Sequence, residues 1–191
     1  MLTTKETTSP QITTARALRS LYITRTIFSV TWLLLVIAFV KTSPLIATVL
    51  LIIYPAWDVI GTYFDIKANK NNGPVTTQYV NAVISIITTV AVAIAVSNSV
   101  ADALVVFGAW AILTGAIQLV LGLRRRKLLG GQWPMIISGG QSVIAGVSFI
   151  AMAHSPNMGI INLAGYAGFG AFYYLLAVIS LSKSLRKSAV N

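Results

Sequence analysis

Apolar and polar residues along this chain fall into long blocks rather than short periods. Six apolar blocks run at about residues 20–40, 45–64, 75–96, 101–123, 133–153 and 159–181. A helix needs ~20 mostly apolar residues to cross the hydrocarbon of a bilayer, and each block is about that long. The stretches between them are turn-forming: KTSP at 41–44, KANKNNGP at 67–74, SNS at 97–99, RRRKLLGGQ at 124–132 and HSPN at 154–157. The uncharged stretch 128–182 divides into two spans at the last of these turns. The pattern predicts an all-α integral membrane protein with six transmembrane helices.

The basic residues choose the orientation. Of fourteen Lys and Arg, all but Lys41 fall on one side, in the tail, the start of the first span, the even-numbered loops or the C-terminus. Short cytoplasmic loops carry the excess of Lys and Arg, so both termini are expected inside. Residues 1–18, MLTTKETTSPQITTARAL, are polar and Thr-rich, without a secretory signal's short apolar run and small-residue cleavage site. They read as a disordered cytoplasmic tail before a six-span membrane domain at 19–191, with the first span as its own insertion signal.

Composition agrees. The chain is 56% hydrophobic and only 9% charged, against about 25% charged in a soluble domain. A net charge of +10 suggests nucleic acid in a soluble protein. Beside apolar spans, the same charge orients helices and meets anionic lipid. Cysteine is absent, which excludes disulfides, thiolate nucleophiles and thiolate metal sites.

The even spans share a pattern: Tyr54-Pro-Ala-Trp57, Phe107-Gly-Ala-Trp110 and Tyr166-Ala-Gly-Phe169, each ending thirteen residues after Pro44, Ser97 and Pro156 respectively. The odd spans agree, with Tyr22, Arg25, Ser29 and Trp32, then Gln78, Asn81, Ser85 and Thr88, then Ser138, Gln141, Ala145 and Ser148. Such spacing puts each set on one helix face, and polar faces are expected to point at protein rather than lipid. The chain therefore reads as three consecutive hairpin repeats, at about 20–66, 75–127 and 132–183, all entering from the cytoplasm. A pseudo-threefold axis along the membrane normal would relate them.

The stretch 107–127 (FGAWAILTGAIQLVLGLRRRK), followed by Gln132-Trp133 and Gly146, resembles the HdeD-like acid-resistance membrane proteins. The likeness covers all six spans, most clearly the fourth and fifth, and excludes the N-terminal tail. It implies a family of short two-helix repeats of otherwise unknown function, in the bacterial inner membrane and linked to acid or envelope stress. The first hairpin departs from its sister copies, with Asp58 where they have Ala111 and Gly170. The resemblance supplies no catalytic residues.

Asp58 is the sharpest candidate. An acid at the centre of a spanning helix costs about 2.5–3.5 kcal/mol on insertion scales. It is either a proton or cation site, or half of a structural ion pair. Arg25 stands nineteen residues before Pro44 and Asp58 fourteen after it. The turn itself begins near Lys41, sixteen residues after Arg25, so both lie roughly 21–24 Å below it, where adjacent antiparallel helices can pair them. Arg25 can alternatively snorkel to the head groups. The amides of Asn81, Gln118 and Gln141 suit interhelical hydrogen bonds, worth ~0.6 kcal/mol on average, or the lining of a solute pathway. His154, the only histidine, is either a pH sensor in an outward turn or simply solvated.

Gly108, Gly115 and Gly122, spaced by sevens, with Gly139 and Gly146, read as sites of close helix approach. Arg124, Arg125, Arg126 and Lys127 read as topology determinants and contacts for anionic lipid head groups. Four acids, one histidine and no cysteine leave no metal site and argue against catalysis. The expected protein is non-enzymatic, without a cofactor. It is either structural or partner-binding, in a homo-oligomer or with another membrane protein, or it is a small proton- or solute-translocating protein using Asp58 and the polar faces.

Overall fold

A computed structural model describes residues 10–70, 73–129 and 131–188, all of it helix and short turns. The helices are α1 (Pro10–Phe39), α2 (Pro44–Asn69), α3 (Thr76–Asn98), α4 (Val100–Leu129), α5 (Trp133–Met152) and α6 (Ile160–Ser188). All six are long and apolar enough to cross a membrane.

The turns show why the chain reverses where it does. Ser43 caps α2, its hydroxyl accepting from the Ile46 amide at 3.3 Å, and Pro44 follows at the first turn, where its missing N–H costs nothing. Ser99 alone separates α3 from α4. Its amide donates to the Ala95 carbonyl at 3.1 Å, closing α3, while its hydroxyl accepts from Asp102 N–H at 3.0 Å, opening α4. At the other end Gly131 adopts φ +59°, the left-handed conformation that glycine takes without strain.

Each helix packs on its neighbours in the chain, and α1 packs extensively on α6, so the six close into a ring. Both described chain ends lie together: Thr14 of α1 donates to the Ala68 carbonyl of α2, and Ser184 of α6 to the Leu129 carbonyl of α4. This is the terminal end of the bundle. The turns at Pro44, Ser99 and Pro156 form the opposite end.

The interior is layered. Toward the turn end, Trp32, Val36, Leu51, Val92, Leu104, Phe107 and Leu163 form the larger apolar core. Toward the terminal end, Leu18, Leu21, Tyr22, Leu129, Met135 and Leu181 form a smaller one. Between them, on α1, α2 and α3, lie Ser29, Asp58, Thr62, Asn81 and Ser85, all buried and all polar. Outside, large apolar side chains stand exposed on every helix, among them Ile27, Leu45, Ile87, Leu113, Ile144 and Leu175. A buried polar layer beneath an apolar exterior suits lipid as solvent.

Two expectations about boundaries need correction. Residues 10–18, expected in a disordered tail, form the first turns of α1, because Thr14, Ala15 and Leu18 share a buried face against the smaller core; residues 1–9 lie outside the described residues. Residues 124–129, expected in a loop, continue α4, because Arg125 and Leu129 stay on the face of Gly122 and are buried. Helices α1 and α4, at 30 residues each, are about 45 Å long and so exceed the ~30 Å hydrocarbon layer.

Candidate functional site

The polar layer centres on Asp58, placed on the inner face of α2 by the run Leu51, Pro55, Asp58, Gly61, Thr62, which is buried at helical spacing. Its Oδ1 accepts from Arg25 Nη1 of α1 at 2.7 Å. Its Oδ2 accepts from Asn81 Nδ2 at 2.7 Å and from Ser85 Oγ at 2.9 Å, both on α3. The side chains of the ion pair are only 14% and 12% exposed. These contacts all bring a donor to the carboxylate, which only accepts.

The network runs outward in both directions. Arg25 Nη1 also donates to the Tyr174 hydroxyl of α6 at 3.0 Å. Asn81 Nδ2 also reaches Thr62 Oγ1 at 2.7 Å. Ser85 Oγ accepts from the Trp110 indole of α4 at 3.0 Å. One carboxylate thus ties together α1, α2, α3, α4 and α6. Gly61 makes the room: a Cβ there would fall 2.5 Å from Arg25 Nη2, so any side chain displaces the guanidinium.

Two turns nearer the terminal end, a second ion pair joins α2 to α4. Arg125 Nη2 donates to Asp65 Oδ1, which also accepts from Asn69 Nδ2 at 2.6 Å. Gln78, its amide turned to satisfy both ends, donates to the Val75 carbonyl at 3.3 Å and accepts from Arg125 at 3.1 Å. Arg125 is buried, whereas Arg124, Arg126 and Lys127 are exposed. The expectation that all four bases face lipid head groups is therefore corrected for Arg125. Its helix position, three residues after Gly122 and four before Leu129, was the signal that sets it apart.

The α4–α5 seam has a different construction. A Cβ on Gly108 would lie 2.7 Å from the Gly146 carbonyl oxygen, and one on Gly115 would lie 2.8 Å from that of Gly139. The two backbones touch. Ser142 donates to the Ala111 carbonyl at 3.0 Å and shares a 2.7 Å contact with the Tyr166 hydroxyl.

The remaining candidates separate. Gln118 donates to the Met135 carbonyl across this seam at 3.2 Å. Gln141 lines a cavity of about 420 Å³ inside the ring, together with Ser138, Gln118 and Gln132, and Asp58 lines the same cavity. His154 is exposed in the turn between α5 and α6. Trp57, Trp110 and Phe169, matched in the sequence pattern, meet three environments: Trp57 half-buried on the Phe28 ring, Trp110 buried, Phe169 exposed.

Over residues 80–151 the chain is similar to DUF308, a short repeat of unknown function. The DUF308 stretch takes in most of α3, all of α4 and most of α5, with Asn81, Ser85, Trp110 and the facing glycines. Arg25, Asp58 and Tyr174 lie outside the DUF308 match. No curated protein and no solved structure matches the chain.

Proposed function

We propose that this chain is a non-enzymatic, multi-pass protein of the bacterial inner membrane that acts as a structural or partner-binding element. Its three hairpins are repeats, and both termini are cytoplasmic. The observation that carries the reading is the use made of Asp58: a charged group inside the bundle is spent on holding five helices together. The exposed Arg124, Arg126 and Lys127 at the terminal end favour a cytoplasmic, anionic lipid surface there. The HdeD-like pattern and the DUF308 match together support a family of small repeat proteins, and the resemblance extends that reading to acid or envelope stress.

A translocation reading is favoured by one observation, the cavity beside the network. Reconstitution in liposomes with an internal pH dye separates the two. The structural reading predicts no proton flux above that of empty vesicles, from wild type or Asp58→Asn; flux abolished by Asp58→Asn establishes translocation instead. Single cysteines at Ser99 and Ser188 test the topology with an impermeant thiol reagent in intact cells. Labelling at Ser99 alone is expected, and labelling at Ser188 alone reverses the orientation.

A further inference from the structure

Among the described residues, two buried hydrogen-bond donors without partners belong to side chains that line the cavity. Gln132 is 1% exposed; its Oε1 accepts from the Tyr22 hydroxyl at 3.4 Å, and its Nε2 has no partner among the described residues. The indole N–H of Trp57 is in the same condition. Both residues line the cavity. A buried donor left bare costs free energy that an acceptor would recover. Native interiors leave few such groups, and each calls for a reason.

The cavity walls narrow the class of acceptor. Among the described residues, three charged side chains line it: Arg25 and Asp58, already paired to each other, and Asp65, paired to Arg125. A charged ligand would find no free counter-charge there and would lose its hydration without compensation. The rings of Tyr166, Phe169 and Tyr173 add flat apolar surface on α6. At about 420 Å³, the space falls within the range of small-molecule sites, ~300–1,000 Å³.

Access is sideways. Helices α5 and α6 are the least extensively packed of the chain-neighbour pairs. Phe169 both lines the cavity and remains 57% exposed, and Ser148 of α5 is likewise a lining residue and exposed. The cavity therefore meets the apolar exterior at the α5–α6 seam, where lipid would lie.

We infer that this cavity binds an uncharged, membrane-soluble molecule that carries hydrogen-bond acceptors, such as carbonyls, on a flat ring, entering between α5 and α6. The inference requires the bundle to lie in a membrane, but neither the stress role nor the orientation. A structural protein with such a site is a ligand-dependent one.

Decylubiquinone, with two ring carbonyls and a short tail, is a suitable probe, and decylbenzene is its counterpart without acceptors. Quenching of tryptophan fluorescence is followed in nanodiscs, with thermal melting as the second readout. Expected are saturable quenching and a raised melting temperature with decylubiquinone alone. Loss of one buried hydrogen bond should weaken binding about tenfold in Gln132→Leu; Trp57→Phe, which keeps a ring and removes the N–H, should weaken it similarly by melting shift. Ile144→Ala on the lipid-facing surface should bind as wild type does. If Gln132→Leu does not fold, Trp57→Phe decides alone. Quenching that never saturates, equal effects of decylbenzene, or unchanged affinity in the variants that fold would overturn the site and leave the cavity to water.

Discussion

The α2–α3 and α4–α5 seams are both buried helix contacts in one ring, and they are held by opposite means. At α2–α3, polar side chains bridge the gap: Asn81 and Ser85 reach Asp58, and Asn81 also reaches Thr62. At α4–α5 the side chains have been removed, so that Gly108 meets Gly146 and Gly115 meets Gly139 backbone to backbone. Lipid tails are as apolar as leucine, so burying apolar surface gives helices in a membrane little reason to associate. Hydrogen bonds and close van der Waals contact are what remain. The first seam depends on particular atoms being present. The second depends on their absence.

The two seams should therefore fail under opposite substitutions. The largest loss is expected from Asp58→Ala, which leaves Arg25 charged and unpaired among buried groups. Breaking a buried pair from one side costs about 3–5 kcal/mol, read as thermal or denaturant stability in detergent. Gly115→Leu comes next. Overpacking costs about 1–3 kcal/mol, because the new side chain must enter the space of the Gly139 carbonyl and Ser142, and the α4–α5 backbones must separate. Ile144→Ala, on an outward face, should cost less than about 0.5 kcal/mol. If Gly115→Leu proves equally harmless, the seam is not the close contact described.

A smaller effect separates members of the polar set. Asn81→Leu should lose about 0.6–1.7 kcal/mol, the range found for hydrogen bonds between membrane helices. Gln141→Leu should lose less, because both line the cavity but Asn81 also bonds Asp58 and Thr62 across a seam. Equal losses would mean that the Asn81 bonds add nothing to the bundle.

The sequence pattern carried the six spans and the turns because block length and turn chemistry are local properties. The depth match that suggested Arg25 with Asp58 is also local arithmetic, two distances counted from one proline. What escaped was set by the closing of the ring. Tyr174 meets Arg25 because α6 returns to α1, and no spacing within either helix states that. Arg125 was read with its three basic neighbours as a lipid-facing run, although a run of four on a helix cannot face one way. Asp65 is part-buried against that arginine, and no spacing within α2 or α4 states the pairing. The start of α1 was misread because threonine-rich polar sequence resembles a tail, whereas Thr14, Ala15 and Leu18 supply a face small enough to pack. Gln132, taken as a loop residue, is among the most completely buried side chains.

The central claim is that Asp58 is spent on structure through Arg25. A double-mutant cycle measures it most directly, with unfolding free energies for wild type, Arg25→Ala, Asp58→Ala and the double variant in one detergent. The account predicts that the double variant is more stable than Asp58→Ala alone, so that the coupling energy exceeds the loss caused by Arg25→Ala. Losses that add to within about 0.5 kcal/mol would contradict it.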